Sequence, residues 1–474
     1  MHESLFDRFL STAEMTEVFG ATAIVQGMLD FEAALARAQA AEGVIPDAAV
    51  APIVAACRAE AFDLDAIATA GAIAGSVAIP LVRQLTAQVA VTDAQAADFV
   101  HWGSTSQDVI DTAMVLATRR AVALIDARLG GLTNALLKLA DAHGDAPMLG
   151  RTLMQPALVV SFGFKLIAWV APLVRARERL REAAKRGCKL QLGGAVGTLS
   201  VMGAAGAAVA RRMADDLQLV NLGDPRAPDA WHTQRDEWVA LGCEVGVLCG
   251  SLGKIAKDIS LLAQGEIAEV AEPSGNANGQ QRGGSSAMPH KRNPVASMIA
   301  LAAAARAPHR VAALLAAMPQ AHERGLGDWQ AELAEWPGLF MSAHGAVSAL
   351  ADAAVGLTID TVRMRRNIDA LGGLVFAEAA AMLLARHLGK SRAQALLETL
   401  SRLAVREQRP LLAAVQEAIA ETAPLAAAVS ADELRAAFDA DAVARQASGT
   451  VRTQWTDLRV RAAALDAQPY PPVF

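Results

Sequence analysis

Aromatic residues are scarce in this chain of 474 residues. Aromatic side chains make up 4% of the sequence, with a single tyrosine, whereas hydrophobic residues as a whole make up 53%. Much of the apolar fraction is alanine, which is the best helix former because it loses no side-chain entropy in a helix. Strand-rich proteins depend instead on valine, isoleucine, threonine and aromatic residues. The composition therefore argues against an all-β fold and predicts a helical protein.

Cysteine is also rare. The four cysteines, Cys57, Cys188, Cys243 and Cys249, form no Cys-x-x-Cys pair, and no cysteine–histidine cluster has the spacing of a zinc site. A chain of this length can bury a sizeable core without disulfide or metal links. We therefore expect the cysteines to be buried small hydrophobic residues in a reducing compartment.

The chain lacks a basic excess, a leader-like start and a long apolar run. Lysine and arginine total 43 against 49 acidic residues, a net charge of −6, which disfavours nucleic acid or an anionic membrane surface as a partner. The first residues are acidic where a signal peptide would be basic and then apolar. No uninterrupted apolar run reaches the length of about 18 that predicts a membrane span. We expect a cytoplasmic protein with neither nucleic-acid nor membrane partners.

Apolar residues recur at helical spacing along most of the chain. One face is formed by Ile24, Met28, Phe31 and Leu35, with Gly43 and Pro46 as stop signals. We predict a helix over residues 108–129, closed by the two glycines that follow. A further helix is predicted over residues 157–185, with a kink at its internal proline.

The longest helical pattern covers residues 235–272, which contain no proline. Apolar residues follow one another at alternating steps of three and four, a heptad seam: Trp238, Leu241, Val245, Leu248, Leu252, Ile255, Ile259 and Leu262. Such a helix would span roughly 55 Å, and its glycines would allow close approach of a neighbour. We predict a bundle of long helices and, because an isolated seam would expose an apolar stripe, a homo-oligomer built on it.

Chain length and these helices predict three domains. We place an N-terminal helical domain at residues 1–107, a central long-helix bundle at 108–356 and a C-terminal helical domain at 357–474.

Three polar segments interrupt the apolar helices. Residues 101–108 place hydroxyls and amides ahead of a helix, where they can face an anion or simply cap the helix. Residues 151–156 form a second polar segment. The third, residues 273–294, is a glycine-rich loop ending in serine, histidine, lysine, arginine and asparagine, which favours a functional loop over a disordered linker.

The end of the third segment carries a specific motif. Its letters, GSSAMPHKRNP over residues 284–294, resemble the fumarase/aspartase superfamily signature GSSxMPxKxNP at every fixed position. The first two segments resemble the family's other conserved regions in order and rough spacing, the first through an HxGxTSxD pattern. The resemblance implies an all-α, three-domain subunit, a homotetramer around a central helical bundle, and active sites shared between subunits.

The family adds groups to, or eliminates them from, a carbon next to a carboxylate. In the elimination direction, a base first removes the Cβ proton. The resemblance implies that Ser285 is this base, with Ser286 as the alternative, and that Lys291 and Asn293 bind a carboxylate. Further residues expected to line the site or bind substrate are His101, Thr105, Ser106, Gln107, Arg151, Thr152, Gln155, Met288, His290, Arg292 and Arg324. Arg151 and Arg324 could instead form structural ion pairs.

Leu153 departs from the family pattern. Members that eliminate an amine or hydroxide carry a histidine at this position, which helps to protonate the poor leaving group. Leucine cannot do so, and either the chain is inactive or its leaving group needs no proton. A carboxylate, with a conjugate-acid pKa of about 4, is such a leaving group. The Arg-Thr-Leu-x-Gln-Pro variant resembles the family's carboxymuconate cycloisomerase branch, in which a substrate carboxylate adds across the substrate's own double bond.

This resemblance implies an intramolecular lyase that acts on a small tricarboxylate without metal or cofactor. Two alternatives stay open. One is an adenylosuccinate lyase-like C–N lyase, which Leu153 disfavours. The other is a non-catalytic helical scaffold, which the intact set of Ser285, Lys291 and Asn293 disfavours.

Overall fold

The structure is a computed structural model that describes residues 5–219, 230–275, 283–284, 288, 291–468 and 470. Three candidate site residues, Ser285, Ser286 and His290, lie outside the described residues. The described part of the chain is built from α-helices, joined by short 3-10 turns and two small antiparallel strand pairs. The predicted all-α fold class is confirmed.

Short helices surround one long helix in the N-terminal part. Their bounds are α1 (Leu5–Leu10), α2 (Ala13–Val18), α3 (Ala21–Ala41), α4 (Val50–Ala56), α5 (Leu64–Ala74), α6 (Ala78–Thr92) and α7 (Ala94–Ala97). The long helix α3 buries Met28, Phe31 and Leu35, as their spacing predicted. It ends shortly before Gly43, whose φ of +69° lies outside the range of a right-handed helix.

The central part is a bundle of long helices. Its elements are α8 (Ser106–His143), β1 (Pro147–Thr152), β2 (Gln155–Ser161), α9 (Phe162–Gly187), α10 (Gly206–Asp216), α11 (Asp236–Leu262), α12 (Val295–Ala317) and α13 (Asp328–Val355). The long helices α8, α9, α11, α12 and α13 pack on one another, which confirms the predicted bundle.

Helix α11 is shorter than predicted, and its seam is satisfied inside the chain. The helix ends at Leu262, so it spans roughly 40 Å. All seam residues are buried within the single chain. A Cβ on Gly246 would lie 2.5 Å from Val311 Cγ2, and one on Gly253 2.4 Å from Ala304 Cβ. The glycines therefore admit α12, as predicted, but the exposed stripe from which we predicted an oligomer is covered by the chain itself.

Two predicted helix ends are wrong. Helix α8 runs through Gly130 and continues to His143. Gly130 does not end the helix but allows close packing, since a Cβ there would lie 3.2 Å from an Arg177 guanidinium nitrogen on α9. Residues 157–161 are strand, and α9 begins only at Phe162, after Ser161 caps it by accepting from the Phe164 N–H at 3.0 Å. Helical spacing alone did not separate this strand from the helix that follows.

The C-terminal part consists of shorter helices and one strand pair. The bounds are β3 (Val270–Ala271), β4 (Thr358–Ile359), α14 (Thr361–Asp369), α15 (Ala377–Leu388), α16 (Lys390–Glu407), α17 (Leu411–Glu421), α18 (Ala423–Ala428), α19 (Ala431–Ala437), α20 (Ala440–Thr450) and α21 (Arg452–Ala467). The predicted domain boundaries fall close to the start of α8 and the end of α13. Helix α21 crosses that division, because it packs back on α8 and α9.

The cysteines are free. Burial raises the pKa of Cys57, Cys188 and Cys249 to about 12, so these thiols stay protonated. Cys243 is half-buried. Three of the four therefore confirm the reading of cysteine as a small buried residue.

Within the part of the chain that the structure describes, four helical stretches, namely 13–41, α11, α12 and α13, are long and apolar enough to cross a membrane by length and composition alone. None of them is an uninterrupted apolar run, because polar residues occur within each stretch. In its most apolar window, α13 is 78% buried inside the chain, whereas α12 is only 22% buried. Met298 and Leu315 of α12 are each 47% exposed. A single chain therefore leaves one apolar helix face uncovered.

Candidate active site

The first polar segment is held rigidly by Asp108, which is fully buried in the first turn of α8. Asp108 Oδ1 accepts from the Gly193 N–H at 3.0 Å and contacts His232 Nε2 at 2.7 Å. Its Oδ2 accepts from the Gly194 N–H at 2.9 Å and from the Thr105 N–H at 3.1 Å. This carboxylate therefore ties the start of α8 to the irregular segment at residues 193–194.

Thr105 and Ser106 form a hydroxyl pair at the N-terminus of α8. The Arg324 guanidinium donates to Thr105 Oγ1 at 2.6 Å and to Ser106 Oγ at 3.0 Å. Because both oxygens accept from Arg324, their own O–H groups stay available to donate to a bound anion. The positive end of the helix dipole and the free N–H groups of the first turn also favour a negative charge at this position. The arrangement suits a carboxylate.

Asp111, Arg235 and Glu332 form a buried ionic cluster beside the first turns of α8, which the sequence did not predict. Arg235, only 1% exposed, donates to Asp111 Oδ2 at 2.7 Å and forms a second short pair with Glu332. Its guanidinium carbon also lies 4.3 Å from the centre of the Trp231 ring. Trp329 Nε1 donates to Asp111 Oδ1 at 2.9 Å. Acidic residues spaced by three within an apolar helix, at positions 108 and 111, were the available signal.

Gln107 belongs to this cluster rather than to an open surface. It is 1% exposed, and its amide donates to the His232 carbonyl at 3.0 Å and to Asp111 Oδ2 at 3.2 Å. Both of these hydrogen-bond partners of the Gln107 side chain therefore belong to the buried structure around the first turns of α8.

His101 lies beside the same segment. Its Nδ1 is 2.6 Å from Glu32 Oε1 on α3 and 2.9 Å from Ser104 Oγ. Burial alone would lower the pKa of His101, but the carboxylates of Glu32 and Asp108 outweigh burial and raise it above its ordinary value. The neighbouring carboxylates therefore favour the cationic form of His101.

The second polar segment forms the turn of a β-hairpin. Thr152 pairs with Gln155 across the strands, so Leu153 and Met154 make a two-residue turn. Both turn residues adopt positive φ values, +49° and +68°, the backbone of a type I′ turn. Leu153 is 96% exposed and Met154 67% exposed. The hairpin thus presents the second polar segment at an exposed tip.

Arg151 is neutralised within the chain. Its guanidinium donates to Glu269 Oε1 at 2.7 Å and to Oε2 at 3.0 Å, and the Asn367 amide donates to the same carboxylate at 2.8 Å. This bidentate pair fixes the hairpin against the residues before β3 and against α14. The structure therefore gives Arg151 the structural role that the sequence left open.

The end of the third segment is described at Gly283, Gly284, Met288 and from Lys291 onward. The Asn293 N–H donates to the Gly283 carbonyl at 2.9 Å. Gly283 has φ +69°, and a Cβ there would lie 2.3 Å from the Asn293 carbonyl oxygen, so this position requires glycine. The side chains of Met288, Lys291, Arg292 and Asn293 are exposed. The buried Glu272 carboxylate accepts from the Ala296 and Ser297 N–H groups and so caps α12.

The single chain therefore groups only part of the expected site. Arg324 contacts Thr105 and Ser106, and His101 contacts the adjacent Ser104, whereas the hairpin is held by a separate set of partners. A cavity of about 720 Å³ is lined by residues of the other end of α8, roughly 55 Å from Thr105. Among the described residues, no group of three or more histidine, cysteine or acidic side chains could hold a metal ion.

Comparison with known proteins identifies the family. A lyase family matches residues 8–308. The 3-carboxy-cis,cis-muconate cycloisomerase of Pseudomonas aeruginosa is 48% identical over 435 residues, 92% of this chain and 92% of that relative. The enzyme of the same name from Bradyrhizobium diazoefficiens is 47% identical over 430 residues, 91% of this chain and 92% of that relative.

The three-dimensional fold agrees. The crystal structure of the 3-carboxy-cis,cis-muconate lactonizing enzyme from Pseudomonas putida matches with a TM-score of 0.87 at 42% identity, over 97% of this chain and 100% of that chain. The chain therefore belongs to the fumarase/aspartase superfamily of lyases and, within it, to the 3-carboxy-cis,cis-muconate cycloisomerase branch.

Proposed function

We propose that the protein is an intramolecular lyase that interconverts 3-carboxy-cis,cis-muconate and 4-carboxymuconolactone during breakdown of aromatic compounds. The observation that carries the proposal is Leu153. It occupies the hairpin turn where amine-eliminating relatives would place a proton-donating histidine, while the third motif is complete. The relatives at 47–48% identity carry the name of this activity.

The proposed reaction needs one acid–base group and several carboxylate anchors. In the lactonizing direction, a substrate carboxylate oxygen bonds to C4, and electrons move toward the carboxylate conjugated with C5. The Ser285 hydroxyl then protonates C5, so the trianion takes up one proton and becomes a dianionic lactone. In reverse, the serine alkoxide removes the C5 proton and the C4–O bond breaks. The leaving carboxylate needs no acid, which suits leucine at position 153.

The anchors in this proposal are local, because the chain as a whole is negatively charged. Thr105 and Ser106 bind one carboxylate with their hydroxyl hydrogens, and Arg324 supplies the adjacent positive charge. Lys291, Asn293 and Arg292, with exposed side chains, bind a second. Thr152 and Gln155 reach the substrate from the exposed hairpin. His290 and Met288 line the site.

We further propose a homotetramer in which these segments come from different subunits. The uncovered apolar face of α12 and the exposed hairpin tip support this assembly, since both would otherwise expose apolar side chains to water. Other copies of the chain, rather than a membrane, cover α12, and the enzyme works in the cytoplasm without nucleic acid. Light scattering coupled to size-exclusion chromatography should give four times the 49.3 kDa chain mass; a monomer would contradict the assembly.

Replacing Arg324 by methionine is expected to raise KM about 10- to 100-fold, with a smaller change in kcat. A hydrogen bond to a charged group contributes about 1.5–3 kcal/mol, and the loss falls on carboxylate binding. Arg324→Lys keeps the charge but not the forked geometry and should lie in between. Arg402→Met, an exposed arginine of α16 paired with Glu398, is the control. An unchanged KM in Arg324→Met would remove this residue from the site.

The activity is tested by incubating the purified protein with 3-carboxy-cis,cis-muconate and following loss of the ultraviolet diene absorbance. Adenylosuccinate is the control substrate for the C–N lyase alternative. We expect turnover of the muconate only. Turnover of adenylosuccinate would favour the alternative, and no turnover of either would favour the scaffold.

A further inference from the structure

Glu32 is a buried carboxylate that the proposed reaction does not use. It lies on α3 among apolar residues and is 2% exposed. A charge in such surroundings is costly unless a partner compensates it. Its partner is His101, with Glu32 Oε1 only 2.6 Å from the imidazole Nδ1. Glu32 is therefore an acidic side chain, buried in the N-terminal core, that contacts the His101 imidazole.

This contact determines which edge of the His101 ring is left for other partners. A carboxylate accepts hydrogen bonds, so Nδ1 carries a proton and donates it to Glu32. Glu32 is buried, whereas 20% of the His101 side chain is exposed. Because Nδ1 faces Glu32, we infer that Nε2, on the far side of the ring, is the nitrogen left for another partner. Within the described ranges, no hydrogen-bond partner occupies Nε2.

The charged groups around the imidazole favour its cationic form. Glu32 faces it from α3, and Asp108 faces it from the first turn of α8. Ser104 Oγ, 2.9 Å from Nδ1, is the polar neighbour in the same loop. The titratable neighbour of Glu32 on the other side is the Cys57 thiol, which burial keeps protonated. The charged groups that shift the pKa of His101 are the carboxylates of Glu32 and Asp108, whereas Asp30 and Arg37 act on Cys57.

We propose that Glu32 is a positioning residue that keeps His101 protonated and orients its Nε2–H toward a carboxylate of the substrate. The inference rests on the proposed function, because it needs an anionic substrate at Thr105 and Ser106. Ser104, whose Oγ lies 2.9 Å from His101 Nδ1, directly precedes Thr105 and Ser106 in the chain, so the imidazolium supplies a cation beside that pair in addition to Arg324.

The first test measures the protonation of His101 directly, without substrate. Protein labelled with ¹³C-histidine is titrated by NMR, and the His101 signal is assigned by its loss in His101→Gln. Glu32→Gln should lower the His101 titration midpoint by at least about one pH unit, the effect of losing an opposite charge at contact distance. Glu32→Asp, which retracts the carboxylate, should give a smaller shift and serves if the glutamine variant does not fold. Glu42→Gln, an ion-paired glutamate at the end of the same helix, should give none.

The second test is the dependence of KM on pH. Glu32→Gln should raise KM for the muconate at least about fivefold at pH 8 and have little effect at pH 6, where His101 of the variant regains its proton. The same change in a His101→Gln background should add nothing, because the two residues act as one unit. Glu42→Gln should behave as the wild type at both pH values.

An unchanged His101 midpoint in folded Glu32→Gln would overturn the pairing. A KM defect of equal size at pH 6 and pH 8 would also overturn the proposal, since it would show a merely structural role. If the wild type fails to convert the muconate, the proposed function fails instead, and the NMR midpoint alone decides whether Glu32 controls His101.

Discussion

Ser285→Ala is expected to lower kcat by about 10²- to 10⁴-fold without dissociating the assembly. Positioned acid–base groups contribute this much, and alanine has no proton to exchange with C5 of the substrate. KM should change less, because the carboxylate anchors stay in place. The measurement is steady-state turnover of 3-carboxy-cis,cis-muconate, together with light scattering of the variant.

Two further variants make the Ser285 result decisive. Ser286→Ala distinguishes the neighbouring serine, and a larger loss there would move the acid–base role to Ser286. Ser391→Ala, on the exposed start of α16, is the control for removal of a hydroxyl and should keep full activity. Wild-type turnover in Ser285→Ala would exclude this serine as the acid–base group.

Arg235→Met is expected to lower the free energy of unfolding by about 3–5 kcal/mol. The substitution leaves Asp111 and Glu332 buried next to each other without their shared cation, and removing one partner from a buried ion pair has a cost of this size. Both carboxylates are 1% exposed, so water cannot replace the guanidinium. Urea unfolding at one fixed protein concentration measures the change, because stability of an oligomer depends on concentration.

The matched control is Arg186→Met, at an exposed arginine that pairs with Glu182 and Glu237. This variant should unfold close to the wild-type midpoint. If Arg235→Met also unfolds there, the cluster does not support the start of α8 in the way its contacts indicate.

The sequence predicted the fold class and the polar segments because both depend on local patterns. No contact between distant residues is needed to recognise the alanine content, the heptad steps of α11 or the motif over residues 284–294. The grouping of Thr105 and Ser106 with the expected residue Arg324 is a contact across more than two hundred residues. Only the family resemblance made that grouping foreseeable.

The features that sequence reasoning missed depend on packing between distant elements. The two glycines in α8 read as a stop signal, but Gly130 makes room for Arg177 of α9. The distant partners of Asp108 and Asp111 include residues 193–194, 232, 235 and 329, and no local pattern relates these positions. The sequence left the role of Arg151 open between a substrate cation and an ion pair, because its compensating carboxylate, Glu269, lies more than a hundred residues away.

The central claim is that this site catalyses internal addition of a carboxylate to a muconate. The most direct measurement is kcat/KM of the purified wild-type protein for 3-carboxy-cis,cis-muconate and for adenylosuccinate, with the muconate product identified by NMR. We predict formation of 4-carboxymuconolactone, with kcat/KM at least about 10³-fold above that for adenylosuccinate. An equal or higher value for adenylosuccinate, or no lactone in the product mixture, would contradict the account.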